Sequence, residues 1–175
     1  MRVNVKLFIL AIILGVLGVL LPWFFGSVRL FGMGLLPMEF PVLLCGMICG
    51  AGYGGVVGAV VPILYALIFG TMNVYPLGVA TAVELCVFGV LCGVLYKVMR
   101  QNVFVSLLLA MFSGRAVFAV VYFYLLRSEG RVYTAEMFIN GEFLNVLSGI
   151  AIQIIFIPLI VLVLNKTGIV HQGER

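Results

Sequence analysis

The chain contains no aspartate, has one histidine, and has a charged fraction of only 9%. Because that histidine, His171, lies in the polar C-terminal tail, a serine inside an apolar segment has no imidazole base beside it. The phosphate-binding pattern G-x-x-x-x-G-K-[ST] and the zinc pattern H-E-x-x-H do not occur either. We therefore expect a protein that is not an enzyme, with no catalytic residues and no bound metal or nucleotide.

Apolar residues make up 65% of the chain. A soluble domain is about 45–50% apolar and about 25% charged, so a soluble fold of this size has too little interior to hide this much apolar surface. Lipid tolerates it if every backbone polar group is bonded within helices. Four cysteines lie inside the apolar runs, where we expect them to act as small buried hydrophobes: Cys45, Cys49, Cys86 and Cys92.

The apolar runs predict an all-α membrane protein with a single domain over residues 1–175. A span needs roughly 20 apolar residues, fewer where neighbouring helices shield it. A glycine-rich turn at 50–55, a loop at 71–78 and a polar segment at 127–141 separate some of the runs. The six predicted transmembrane helices cover about 7–25, 39–52, 55–71, 79–98, 103–126 and 142–165.

Basic residues near the span ends predict the orientation. Six lie on the side of the two termini: Arg2, Lys6, Lys97, Arg100, Lys166 and Arg175. The three on the other side are Arg29, Arg127 and Arg131. This bias predicts that both termini are cytoplasmic and that the longer loops, after helices 1, 3 and 5, are outside.

Small residues recur at helical spacing and indicate faces where backbones approach closely. Glycines every four residues from Gly46 to Gly58, and the pair Gly89 and Gly93, favour packing within the protein. The small face of helix 1 is instead our candidate for contact with a partner subunit. Its members are Ala11, Gly15 and Gly18.

Charge inside the apolar runs is the strongest functional signal. Glu84 lies about 8 Å below the outer surface and Arg115 about 16 Å, at the helical rise per residue. A charge at the bilayer centre costs about 2.5–3.5 kcal/mol. Two interpretations stay open: an ion pair between Glu84 and Arg115 that joins helices 4 and 5, or a site in which Arg115 binds an anionic ligand.

Further polar residues on the predicted outer half fit a ligand pocket of apolar walls with a few convergent polar groups. With Glu84 and Arg115, the candidate substrate-binding residues are Glu39, Asn73, Tyr75, Tyr122, Asn145 and Gln153.

Five motifs follow one another along the chain: LPMEFPVLLCG (36–46), GAGYGGVVG (50–58), AVEL (82–85), SGRAV (113–117) and FLNVLSGI (143–150). Together they resemble the motifs of the substrate-specific (S) components of energy-coupling-factor (ECF) vitamin transporters. The first is similar to M-H-I-P-V-L-L-x-G, with Glu39 in place of the usual histidine, and Ala51 and Ser148 replace prolines of the family pattern. The likeness spans about residues 7–165.

This resemblance implies a six-helix protein of the bacterial cell membrane that captures a vitamin from outside. It implies docking on a transmembrane coupling subunit through the small face of helix 1, while two ATPase subunits bind and hydrolyse ATP. We expect these subunits, a vitamin and membrane lipid as partners, and no nucleic acid.

The ligand and the function class keep alternatives. Arg115 favours an acidic vitamin, with pantothenate first and folate or niacin next, whereas Glu39 and Glu84 suit an amine or ring nitrogen, as in a pyridoxine-like compound. The competing functions are a six-helix membrane scaffold, like the cell-shape family that includes MreD, and a solitary secondary transporter. Inverted repeats are typical of many such transporters, and we see none here.

Overall fold

A computed structural model describes residues 5–26, 37–70, 72–130 and 153–163, and these residues are helical with short connections and no strand. Six helical segments follow in chain order: α1 Val5–Gly26, α2 Glu39–Cys49, α3 Ala51–Phe69, α4 Val79–Gly93, α5 Val103–Ser128 and α6 Gln153–Val163. The turns Val74–Gly78 and Val94–Val98 extend α4 at both ends with π-helical hydrogen bonding.

Four of these segments are long and apolar enough to cross a membrane. They are Val5–Phe24, Ala51–Phe69, Val74–Val98 and Val103–Ser128, the last with 26 residues. At about 1.5 Å per residue, even the shortest is close to the thickness of a hydrocarbon core. The chain is therefore a membrane protein. The helix α2 and the described part of α6 are shorter, and the six-span count and the orientation remain predictions.

The short helix α2 forms the centre of the bundle. Ten of its eleven residues are buried, and it packs against α1, α3 and α4. Its side chains Val42, Leu43 and Met47 are fully enclosed. Large apolar side chains on α1, α3 and α5 point outward instead, as expected of helices whose outer faces meet lipid.

Glycines allow the backbones of α2, α3 and α4 to meet. A Cβ on Gly46 or on Gly54 would collide with the carbonyl oxygen of Gly89, and a Cβ on Gly89 would collide with the carbonyl oxygen of Gly54. A Cβ on Gly58 would likewise overlap the backbone of Leu85. The prediction that these glycines serve packing within the protein is confirmed.

Two connections differ from the prediction. Only Gly50, at φ 101°, separates α2 from α3, so the segment predicted as a glycine-rich turn at 50–55 is mostly the first turn of α3. The physical reason is that Gly54 and Gly55 face neighbouring helices, where the absent side chain serves close packing and not a turn. The predicted loop at 71–78 contains a helical turn from Val74, with Tyr75 extended at φ −122°.

The remaining helix boundaries lie close to the predicted ones. The first helix covers Val5–Gly26 against 7–25, and α5 covers Val103–Ser128 against 103–126. Of the last predicted helix, 142–165, the described part is Gln153–Val163. The predicted polar segment 127–141 falls mainly outside the described residues.

Candidate functional site

Arg115 lies at the centre of a buried polar cluster. One terminal nitrogen of its guanidinium, Nη2, contacts Oε1 of Glu39 at 2.5 Å, and the other, Nη1, lies 2.8 Å from Oε1 of Glu84. The predicted Glu84–Arg115 ion pair is therefore present, and Glu39 extends it to a triad. Because the two carboxylates use different nitrogens, the arginine bridges α2 and α4 from its position on α5.

Gln153 on α6 completes what we call the polar cluster: Glu39, Glu84, Arg115 and Gln153. The side-chain amide nitrogen of Gln153 donates to Oε2 of Glu39 over 3.1 Å. One carboxylate oxygen of Glu39 thus contacts Arg115 on α5, and the other accepts a hydrogen bond from Gln153 on α6. The four residues come from four different helices, and all four are buried, with exposed fractions between 2% and 8%.

Local structure explains how each carboxylate reaches the arginine. Glu39 is the first residue of α2, where a negative charge is stabilised by the helix dipole. On α4, Glu84 and Phe88 are one turn apart and share a face. Gly114 lets α5 lie close to that face, since a Cβ there would collide with the Phe88 ring and approach the Glu84 carbonyl oxygen. Arg115 is the next residue along α5.

Phe88 forms an aromatic wall of the polar cluster, and the sequence analysis missed it. The guanidinium carbon of Arg115 lies 5.9 Å from the centre of its ring, within the range of a cation–π contact. Its side chain is fully buried. The signal was present in the sequence as the spacing of four residues from Glu84, which puts the two on one helix face.

The charge in the polar cluster determines what it does chemically. Glu39 and Glu84 contribute two carboxylates against the single guanidinium of Arg115. Removing ions from water costs several kcal/mol each, and their attraction offsets this cost only with good geometry and further hydrogen bonds. Such a group of ions has two uses: it locks the helices in one arrangement, or it exchanges one partner for a ligand.

Two other candidates, Tyr122 and Tyr75, contact side chains of α5. The Tyr122 ring stacks on Phe118 at 5.2 Å between ring centres. The Tyr75 hydroxyl shares a hydrogen bond of 2.7 Å with Ser128 and so ties the start of the α4 segment to the end of α5. Asn73 is exposed beside that segment. Asn145 lies outside the described residues. Within the described part of the chain, four of the eight candidates come together.

Two of the three residues of the small face of α1 pack within this protein. Ala11 and Gly18 are buried against this protein's own helices, and a Cβ on Gly18 would lie 3.1 Å from Val61 of α3. Ala11 and Gly18 therefore let α1 and α3 approach each other, and contact of this face with a partner subunit stays a prediction. Gly15 is half-buried, and a Cβ on it would lie 3.7 Å from Val57.

Gly15 lies in an apolar groove between α1 and α3. The groove encloses about 490 Å³, and its outer walls are exposed apolar side chains, among them Phe8, Ile12, Val16, Val56 and Val60. It opens on the side of the bundle and contains none of the polar cluster residues.

The cysteines carry no disulfide, and Cys45, Cys49 and Cys92 are buried. Among the described residues, no group of three or more histidine, cysteine or acidic side chains is placed to hold a metal ion. Within the described part of the chain, the polar cluster is therefore our candidate functional site.

Comparison of the chain with protein-family models, with characterised proteins and with solved structures finds no match in any of the three. The function is therefore argued from the polar cluster, the fold and the motifs quoted above.

Proposed function

We propose that this chain is the substrate-binding S component of an ECF-type importer in a bacterial cell membrane. The observation that carries the proposal is the polar cluster: Arg115 bridges two carboxylates from other helices inside an apolar membrane bundle. Apolar side chains of similar volume hold helices together at least as well as buried ions do. Ionisable groups inside a membrane protein therefore favour a ligand or transport role.

In this proposal the polar cluster forms the buried inner end of a vitamin site that faces the outside. The chain has six transmembrane helices, with both termini in the cytoplasm. The candidate ligands are those named from the sequence: pantothenate, folate, niacin and a pyridoxine-like compound. Binding requires that one member of the polar cluster exchanges its partner in the chain for the ligand, because all four side chains are buried.

The proposed division of labour assigns energy coupling to other subunits. A transmembrane coupling subunit docks on α1, and two ATPase subunits bind and hydrolyse ATP. The docking contact that fits the structure is the groove between α1 and α3, where Gly15 is half-buried among apolar side chains. Ala11 and Gly18 do not contact the partner in this proposal; they keep α1 close to α3 and so preserve the shape of the groove.

A scaffold function like that of the MreD family is the second candidate, and one observation favours it. Both terminal nitrogens of Arg115 are already engaged by carboxylates of the same chain. A scaffold needs such a lock between α2, α4 and α5 and no exchange of partners.

Calorimetric titration of the purified, detergent-solubilised chain against a vitamin panel separates the two candidates. The S component is expected to bind one vitamin tightly with a stoichiometry of one, and the variant Glu84→Gln is expected to weaken this binding. The variant Glu129→Gln removes an exposed carboxylate at the end of α5 and serves as the matched control. A panel without any binding compound supports the scaffold.

A further inference from the structure

We propose that the ligand of the polar cluster carries a positive charge, as an ammonium group or a protonated ring nitrogen, which binds at Glu39. This inference rests on the proposed function and specifies its substrate class. It selects the pyridoxine-like, nitrogen-bearing chemistry over acidic vitamins such as pantothenate. Charge count, hydrogen-bonding capacity and the aromatic wall each support it.

The buried charges of the polar cluster favour a cation. In the described part of the chain, the buried acidic and basic side chains are Glu39, Glu84 and Arg115, which gives two carboxylates against one guanidinium. The other described lysines and arginines are exposed or half-buried near helix ends: Lys6, Lys97, Arg100 and Arg127. A cationic ligand brings the charge of these three buried groups to zero. An anionic ligand makes it more negative in a medium that screens charge poorly.

Hydrogen-bonding capacity points the same way. The Gln153 amide nitrogen is used on Glu39, while the amide oxygen of the same group is buried with no hydrogen-bond partner among the described residues. The carboxylate on Glu39 fixes this assignment of the amide, because only the nitrogen has hydrogens to donate. A buried acceptor on the residue that bonds Glu39 suits a ligand that brings N–H donors, as an ammonium or a protonated ring nitrogen does.

The position of Arg115 disfavours an anion. Its terminal nitrogens face Glu39 and Glu84. An anionic ligand at either nitrogen has to displace a carboxylate and then lies next to like charge. A cation instead replaces the arginine nitrogen at Glu39, while Arg115 keeps its contact with Glu84. No proton moves and no bond forms or breaks in this exchange.

The aromatic wall is compatible with the same ligand. Phe88 already lies 5.9 Å from the guanidinium carbon of Arg115. The face of an aromatic ring attracts cations and offers an anion no such contact. A cation that replaces the arginine nitrogen at Glu39 therefore meets the carboxylate to which the Gln153 amide donates.

The test uses two pairs of probes that differ in charge: 3-(aminomethyl)pyridine against nicotinate, and pyridoxamine against pantothenate. Each is titrated into the full chain in detergent, with melting temperature recorded in parallel to show that every variant is folded. We expect the cationic member of at least one pair to bind about 10-fold or more tightly than the anionic one. The variant Glu39→Gln abolishes this preference, and Glu129→Gln, an exposed carboxylate, keeps it.

The variant Arg115→Gln separates the two charge classes most sharply. A cationic ligand binds this variant at least as tightly as the wild type, whereas an anionic ligand held by the arginine loses about 10- to 100-fold in affinity. An anion that binds tightly and is lost in Arg115→Gln overturns the charge inference and leaves the proposed function standing. If no probe of either charge binds, the charge inference is wrong, and the proposed function is decided separately by the full vitamin panel. If the cation binds Glu39→Gln at full strength, it binds elsewhere and the inference is wrong.

Discussion

Removing the arginine from the polar cluster tests the triad most severely. In Arg115→Ala, Glu39 and Glu84 lose the guanidinium that lies 2.5 Å and 2.8 Å from their oxygens. Breaking a buried ion pair by deleting one partner costs about 3–5 kcal/mol. For a chain of this length, each kcal/mol shifts the melting temperature by about 2–4 °C, so we expect a fall of about 6–20 °C.

The assay is thermal unfolding of the purified protein in one detergent, followed by the fluorescence of Trp23. The control is Arg127→Ala, which deletes an exposed arginine near the end of the same helix and is expected to change the melting temperature little.

Neutralising all members of the triad tests whether charge is the cause. A double change of Glu84→Gln with Arg115→Gln leaves the carboxylate of Glu39 without the guanidinium, so we expect it to recover only part of the loss. The triple change that adds Glu39→Gln removes every charge and is expected to recover most of it. An Arg115→Ala protein that melts like the Arg127→Ala control refutes the reasoning, because a buried bridging ion then contributes nothing to stability.

Three further predictions concern the bundle as a whole. With the native cysteines replaced, single cysteines at Leu30, Asn73 and Ala135, in the three segments that the sequence predicts as outer loops, are expected to react with an impermeant reagent from outside only. Labelling only from the cytoplasm reverses the orientation. Gly15→Leu is expected to fill the α1–α3 groove and abolish co-purification with the coupling subunits. The control is Ile13→Leu on the exposed face of α1. An undiminished yield of the complex from Gly15→Leu shows that the groove is not the docking site. Gly89→Val is expected to separate α4 from α3 and destabilise the fold by more than about 3 kcal/mol. Gly52→Ala, with open space around its Cβ position, is expected to change the stability little. Equal melting temperatures of the two variants contradict the packing account.

The sequence predicts the membrane class and most helix ends because both depend on local composition. Runs of apolar residues bounded by polar or glycine residues mark α1 and α5 to within two residues at each end. The glycine-rich segment 50–55 misled the prediction, since glycine serves both turns and close packing. Only the neighbouring backbone at Gly89 shows which use applies at Gly54.

The sequence predicts which residues belong to the polar cluster, but it does not predict which of them contact one another. Glu84 and Arg115 stand out because a charge in an apolar run is costly. The contact of Arg115 with Glu39 depends on how the first residue of α2 is placed relative to α5, and the two residues are 76 positions apart in the chain. Periodicity contains no information on such a distance.

Native mass spectrometry of the chain, purified from a bacterial membrane in mild detergent, tests the central claim most directly because it needs no prior choice of ligand. We predict one small molecule retained per protein chain, lost in Glu39→Gln and kept in the control Glu129→Gln. A wild-type spectrum without any retained molecule, after growth with a full set of vitamins, contradicts a vitamin-capturing function. A molecule held equally by the wild type and Glu39→Gln contradicts the assignment of the polar cluster as its binding site.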